Sequence, residues 1–233
     1  MDKILTLQNI DKVYGTKVKT QVLFDINLSF EPGSFNSIIG ESGSGKSTLL
    51  NIIGTLDKPT SGKVLINNVD TVSLNNKELA KLRNETLGFV FQFHYLLPEF
   101  TTLENVLIPY LIKNKKPDKE ILRRAEELIE IVGLEKVKNN LSTDMSGGQQ
   151  QRAAIARALI NRPKVILADE PTGNLDSETT DKIYNLLKEI NQEFQSTFIV
   201  ITHDKKVAER TDRIVELKDG RVHLDLLKNQ NKT

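Results

Sequence analysis

Residues 38–50 read IIGESGSGKSTLL, with three glycines and then Lys46-Ser47-Thr48 set between two apolar runs. Gly40-Glu41-Ser42-Gly43-Ser44-Gly45-Lys46-Ser47 fits the spacing G-x-x-x-x-G-K-[ST]. Several backbone N–H groups can converge on a phosphate there, and side chains at the tight positions would obstruct that approach. A helix opening near Lys46 adds free N–H groups and a positive dipole end. Lys46 supplies a mobile cation for the β- and γ-phosphates of a nucleotide, and Ser47 offers a hydroxyl to Mg²⁺. The candidate nucleotide-binding residues in this stretch are Gly40, Ser42, Gly43, Ser44, Gly45, Lys46, Ser47 and Thr48.

A second group of residues suits the chemistry that a bound phosphate invites. KVILADE, residues 164–170, is an apolar strand ending in two carboxylates. Asp169 is the expected magnesium partner, direct or through water. Glu170 leaves the chain on a different bearing and suits the polarisation of an attacking water. His203, after the strand STFIVIT, can donate to a developing anion. Gln92, after a strand in FVFQF, carries an amide able to contact both a metal ion and the lytic water. Tyr14 is a candidate platform for an adenine ring. No Asn-Lys pair in the chain has Asp two places on, so the guanine-reading pattern of GTPases is absent.

Ser146-Gly147-Gly148 precede another helix and form a second potential phosphate-binding N-terminus. One nucleotide does not need two cradles. Two chains placed head to tail would let each supply one of each element, in a closed two-fold pair.

These residues need elements to hold them. Short strands are expected in residues 4–30, with Tyr14-Gly15 in the turn between them, and at 35–40, entering the glycine loop. A helix at 46–54 offers Leu49, Leu50, Ile52 and Ile53 for burial. Helices are also expected at 118–134 and 147–160. In the first, Ile121, Leu122, Ala125, Leu128, Ile129 and Val132 share one face and Asp118 caps the start. Pro109 should kink or end a helix. Asp219-Gly220 should turn a terminal hairpin, with His223 on its surface. Strand, glycine loop and helix, then a helical insert, then alternating strands and helices, describe an α/β core.

The 233 residues include 32 Lys+Arg and 31 Asp+Glu, a formal net charge of +1. That balance gives no broad basic face, so no nucleic-acid partner is expected. The absence of cysteine excludes disulfides and thiolate metal sites. His94, His203 and His223 are scattered, so no histidine metal triad is evident. The start, Met1 to Leu5, has no signal-peptide apolar core, and no 18-residue apolar run spans a bilayer.

The set Gly40–Ser47, Gln92, Ser146-Gly147-Gly148-Gln149, Asp169-Glu170, GNLDSET (173–179) and His203 is similar to the ATP-binding subunit of an ABC transporter. The likeness runs from Tyr14 to about residue 223. It implies a P-loop ABC-type nucleotide-binding fold with a mixed sheet core, an antiparallel β subdomain and a helical subdomain. It implies one domain over 1–228, a helical insert near 93–160 and a frayed tail at 229–233. It makes Tyr14 the aromatic that stacks on adenine and Gln92 the coupler to a membrane partner. Asp176 falls in the loop that communicates across the dimer, Glu170 is the catalytic carboxylate, and His203 is the switch residue. Lys46, Glu170, His203 and Gln92 form the catalytic set, with Ser47, Gln92 and Asp169 toward the metal. Ser146, Gly147, Gly148 and Gln149 face the nucleotide of the other chain. Met145 departs from the usual leucine of that element, with similar apolar volume.

ATP and Mg²⁺ are the implied cofactors. The implied partners are a second copy, on ATP binding, and integral-membrane permease subunits, with the cargo not contacted directly. The implied address is cytoplasmic, peripheral on the inner face of the cell membrane. Residues 88–112 resemble the ATPase of the bacterial lipoprotein-releasing system, and EPTGNLDSET (170–179) is similar to a broader group. That group includes macrolide-exporter-like or peptide-export ATPases and the ATPase of a cell-division permease. Phe91, Phe93, Tyr95, Leu96 and Leu97 are either a landing site for a permease helix or local core. A P-loop small-molecule kinase gives no reason for the Ser146 element or His203. A soluble ABC protein of repair or translation usually carries paired domains or long inserts.

Overall fold

The computed structural model describes residues 3–228, and the tail expected at 229–233 lies outside them. Strands β1 (Leu5–Tyr14), β2 (Thr20–Phe30), β4 (Ser61–Ile66) and β5 (Val69–Asp70) form an antiparallel sheet in the order β2-β1-β4-β5. A six-stranded sheet contains β3 (Phe35–Ile39), β6 (Leu87–Phe91), β7 (Val165–Asp169), β8 (Thr197–Ile201), β9 (Arg213–Lys218) and β10 (Arg221–Leu227). Its order is β10-β9-β3-β8-β7-β6, and only the β9–β10 pair is antiparallel. Asp219 and Gly220, both at positive φ, turn that last hairpin as expected.

The helices are α1 (Lys46–Ile53), α2 (Asn76–Thr86), α3 (Thr102–Leu111), α4 (Lys119–Ile131), α5 (Gly147–Leu159), α6 (Ser177–Phe194) and the short α7 (Lys205–Ala208). Asp118 caps α4, accepting from Ile121 N at 2.9 Å.

The mixed sheet divides two cores, and strand alternation decides which side chain enters which. Phe198 and Val200 of β8 join the helices, with Val106, Ala125, Ile129, Ala153 and Leu187. Ile199 and Ile201 face the other way, into a core shared with α1 and the antiparallel sheet. Ile166 and Ala168 of β7 separate from Val165 and Leu167 by the same rule. Strands covered on both faces read as continuous apolar runs, which is why KVILA and TFIVI show no polar alternation. Leu49, Leu50, Ile52 and Ile53 of α1 are all buried.

Three local expectations change. Pro109 does not stop α3, which runs through it and on for two more residues to Leu111. Leu122 is exposed, because one residue past Ile121 is about 100° around the helix from the buried face. Tyr14 is the last residue of β1 and not part of the turn, which begins at Gly15.

Candidate functional site

The parallel strands deliver their C-terminal ends to one edge of the sheet. Ile38 pairs with Ile201, Ile201 with Asp169, and Asp169 with Phe91. The next residues of each strand leave side by side: the Gly40 loop, Thr202-His203, Glu170 and Gln92. Open α/β sheets bind ligands at such an edge.

A cavity of about 480 Å³ occupies it. Ser42, Gly43, Gly45, Lys46, Ser47 and Thr48 line one side, and Asp169, Glu170 and His203 the other. Two expected residues shape the loop from behind. A Cβ on Gly40 would fall 2.2 Å from Leu217 O and 2.6 Å from Ser44 Oγ. Gly45 caps α1 at φ 100° with no side-chain bond to the helix end. The first N–H groups of α1 are therefore left for an anion.

Ser44 does not line the cavity: its Oγ is buried behind Gly40, with no hydrogen-bond partner among the described residues. Lys46 Nζ folds over the loop and donates to Gly40 O and Glu41 O, each at 2.8 Å. Backbone carbonyls hold this ammonium where a phosphate oxygen would meet it. Its side chain is buried, so the charge needs such partners.

The acidic pair splits in environment. Asp169 ends β7 partly buried, and burial pushes its carboxyl above the usual range. The neighbouring Glu170 charge adds to that rise, while Lys46 opposes it. A carboxylate in that state gains from a cation beside it. Glu170 takes φ 46°, which turns its side chain from the strand's bearing, and its N–H is tied to Ile201 O at 3.0 Å. His203 Nδ1 lies 3.0 and 2.9 Å from the two Glu170 carboxylate oxygens. Among the described residues no cluster of three His, Cys, Asp or Glu side chains could hold a metal ion. The Ser47 hydroxyl and the Asp169 carboxylate both line the cavity, so the residues present fit a magnesium ion.

Several expected residues lie outside the cavity lining. Gln92 Nε2 donates to Asn174 Oδ1 at 3.1 Å, and its amide packs on Gly173. It leaves the edge strand β6, three strand spacings from β3, or roughly 14 Å. Tyr14 donates to Asp57 at 2.6 Å. Ser146 and Gln149 form a reciprocal capping box at the start of α5. Asp176 caps α6, and hydrogen bonds from Thr179, side chain first, hold its carboxyl below the usual range. The two helix starts adjoin: a Cβ on Gly148 would meet Thr179 Cγ2 at 2.9 Å. Met145 is buried among the helices and accepts a bond from Thr102.

The family model described as ABC transporter matches residues 23–173. This chain belongs to the ABC transporter family. It is similar to the lipoprotein-releasing system ATP-binding protein LolD 1 of Rhodopseudomonas palustris, at 50% identity over 95% of this chain and 99% of that protein. It is 50% identical to LolD of Anaeromyxobacter dehalogenans over 92% of this chain and 90% of that one. Among solved structures it is similar to the dimeric ATP-binding cassette MJ0796 in a post-hydrolysis state bound to ADP and Pi. The TM-score is 0.87 at 47% identity, covering 96% of this chain and 98% of that one. The ABC transporter subunit is thus an ATP hydrolase with the P-loop fold, mixed sheet, antiparallel sheet and helical layer described above.

Sequence reasoning missed Val22 and Ile201, which also line the cavity. It missed Asn174 as the partner of Gln92, although Asn174 stands in the quoted GNLDSET run. It also missed Lys12 and Asp57, which hold Tyr14. No local pattern marks these last two, because they meet across the fold.

Proposed function

We propose that two copies of this ATPase bind ATP head to tail and that hydrolysis reopens them, driving a membrane permease in lipoprotein release or a related export or mechanical task. The observation that carries the dimer reading is a separation. The Lys46 cavity is lined without any residue of the Ser146 turn, while Ser146 and Gly147 stand exposed at the start of α5. An uncovered helix start of this kind suits the γ-phosphate held by another copy.

Bound MgATP supplies the scissile phosphoanhydride and a divalent charge across its phosphates. The chain's own residues do the rest. Lys46 exchanges the Gly40 and Glu41 carbonyls for phosphate oxygens. Ser47 and Asp169 would hold a magnesium ion. Glu170 orients and deprotonates water for in-line attack, which requires His203 to release its carboxylate. His203 then turns its donor toward the developing charge. Gln92, on leaving Asn174, would turn its amide toward the water and the metal-holding side of the site and carry that change toward the permease. Tyr14 stacks on the adenine. Ser146, Gly147, Gly148 and Gln149 of one copy close on the nucleotide of the other, with Asp176 beside them.

An apolar groove of about 500 Å³, lined by Leu56, Phe89, Phe91, Tyr95, Ile108 and Ile112, supports a permease segment as the coupled partner. Phe93, Tyr95 and Leu97 are exposed beside it, which favours a landing site over local core. Among the described residues no helix is long and apolar enough to cross a membrane. The chain works on the cytoplasmic face as a peripheral subunit, contacts no nucleic acid and does not touch cargo. The domain spans 1–228, with a helical insert near 93–160.

The test is affinity purification from detergent-solubilised native membranes, with mass spectrometry of what accompanies the chain. A permease with few spans, a large extracytoplasmic domain and bound lipoprotein is expected. A many-span importer-type permease contradicts the lipoprotein assignment, and no membrane partner contradicts the transport reading.

A further inference from the structure

Lys12 is a lysine on β1 with only 8% of its surface exposed. Its ammonium donates to Asp57 Oδ1 and to Lys58 O, each at 2.7 Å. The other Asp57 oxygen accepts the Tyr14 hydroxyl at 2.6 Å. The same ammonium sits 4.6 Å from the centroid of the Tyr14 ring. One carboxylate and one cation therefore fix the phenol at its oxygen and over one ring face. Tyr14 remains 41% exposed, which leaves room for a stacking partner on the ring face away from Lys12.

The anchor is placed with respect to the phosphate loop. Asp57 follows the C-terminal end of α1, whose first residue is Lys46. Eight residues of helix span about 12 Å. Backbone bonds tie the same segments together: Thr60 N donates to Asp11 O at 2.8 Å. Val13 N donates to Thr60 Oγ1 at 2.9 Å. The tyrosine is thus set at a fixed distance from the loop by a rigid element.

We propose that Lys12 and Asp57 are positioning residues that hold Tyr14 as a preformed, one-faced platform for the base of the nucleotide. The proposal rests on the reading of Tyr14 as the stacking aromatic. A ring fixed before binding loses less rotamer freedom when the base arrives. A cation behind the ring draws on its electron-rich face, which leaves the opposite face better suited to stack on a purine. Neither residue lines the phosphate cavity, but Thr48, which does, also approaches the Tyr14 hydroxyl, so tripolyphosphate is the control that separates an effect on the base from one on the phosphates.

The experiment measures binding of ATP and of inorganic tripolyphosphate, both with magnesium, by calorimetry on the full chain. The variants are Tyr14→Ala, Lys12→Met and Asp57→Asn, alone and combined. Tyr14→Ala is expected to weaken ATP about 10-fold, the scale of one base–aromatic stack, and to leave tripolyphosphate unchanged. Lys12→Met and Asp57→Asn are each expected to weaken ATP several-fold, with tripolyphosphate unchanged, and to add nothing in the Tyr14→Ala background. In turnover they raise KM for ATP and leave kcat. Asp57→Asn keeps an oxygen for the phenol but loses the carboxylate that holds the Lys12 ammonium over the ring, so it tests the anchor without the folding risk of Lys12→Met. If Tyr14→Ala weakens ATP selectively but neither other variant does, the positioning proposal is overturned and the stacking reading stands. If Tyr14→Ala does not discriminate the two ligands, both fall. Equal weakening of ATP and tripolyphosphate by Lys12→Met and Asp57→Asn reduces the pair to a structural staple and also overturns the proposal.

Discussion

Glu170 meets His203 through both of its carboxylate oxygens, so the proposed water-activating group starts the cycle engaged. If that contact must break before attack, Glu170→Gln retains MgATP binding and loses turnover by about 10²–10⁴-fold, the range of a general base. His203→Ala frees Glu170 but removes a donor to the transition state, and turnover falls about 10²–10³-fold. Steady-state phosphate release on both variants checks these figures. Asp169 makes a separate prediction. Its folded carboxyl titrates above its ordinary range, through burial first and Glu170 second. A raised folded pKa favours the folded state below the unfolded pKa, and that advantage is lost as pH rises through the folded one. At neutral pH the nucleotide-free protein therefore carries a penalty that Asp169→Asn removes. Thermal melting of Asp169→Asn should lie above that of the parent chain at neutral pH. The gain should vanish in acid, where Asp169 is already protonated. A gain that grows in acid would contradict the assignment.

At the scale of elements, the joints around the site are side chains that cap or staple. Asn105 on α3 is buried and donates to the carbonyls of Leu97, Phe100 and Thr101 while accepting Leu97 N. Asn105→Ala takes the acceptor from Leu97 N, while the three carbonyls keep donors from Ser142 and the Asn105 backbone, and should cost about 1–3 kcal/mol in urea unfolding. Ser146→Ala removes a helix cap and should cost about 1 kcal/mol in the same measurement. Much at this scale is legible in sequence because its signals are local. The glycine loop, the Asp118 cap, the Asp219-Gly220 turn and the paired carboxylates after KVILA each show within a few residues. The order of the parallel strands does not show. β3 lies between β8 and β9, more than 150 residues away in the chain, and no local spacing encodes that pairing. Gln92 stood out as a polar residue after a strand, yet its partner Asn174 follows from β6 lying beside β7. Lys12 and Asp57 stayed hidden for the same reason.

Across the whole molecule, the mixed sheet holds the Lys46 cavity at one edge, and the helical layer carries the Ser146 turn and the Asp176 cap together. A single copy does not bring that turn into the lining of its own cavity. On the proposed reading two copies, each offering both, complete two sites at once, so that ATP serves as adhesive as well as substrate and hydrolysis releases the pair. The measurement that tests this most directly is sedimentation of Glu170→Gln with and without MgATP, alongside its turnover. The account predicts a monomer without nucleotide, a dimer with MgATP, and negligible phosphate release. A variant that stays monomeric at saturating MgATP and hydrolyses at the parental rate would contradict it.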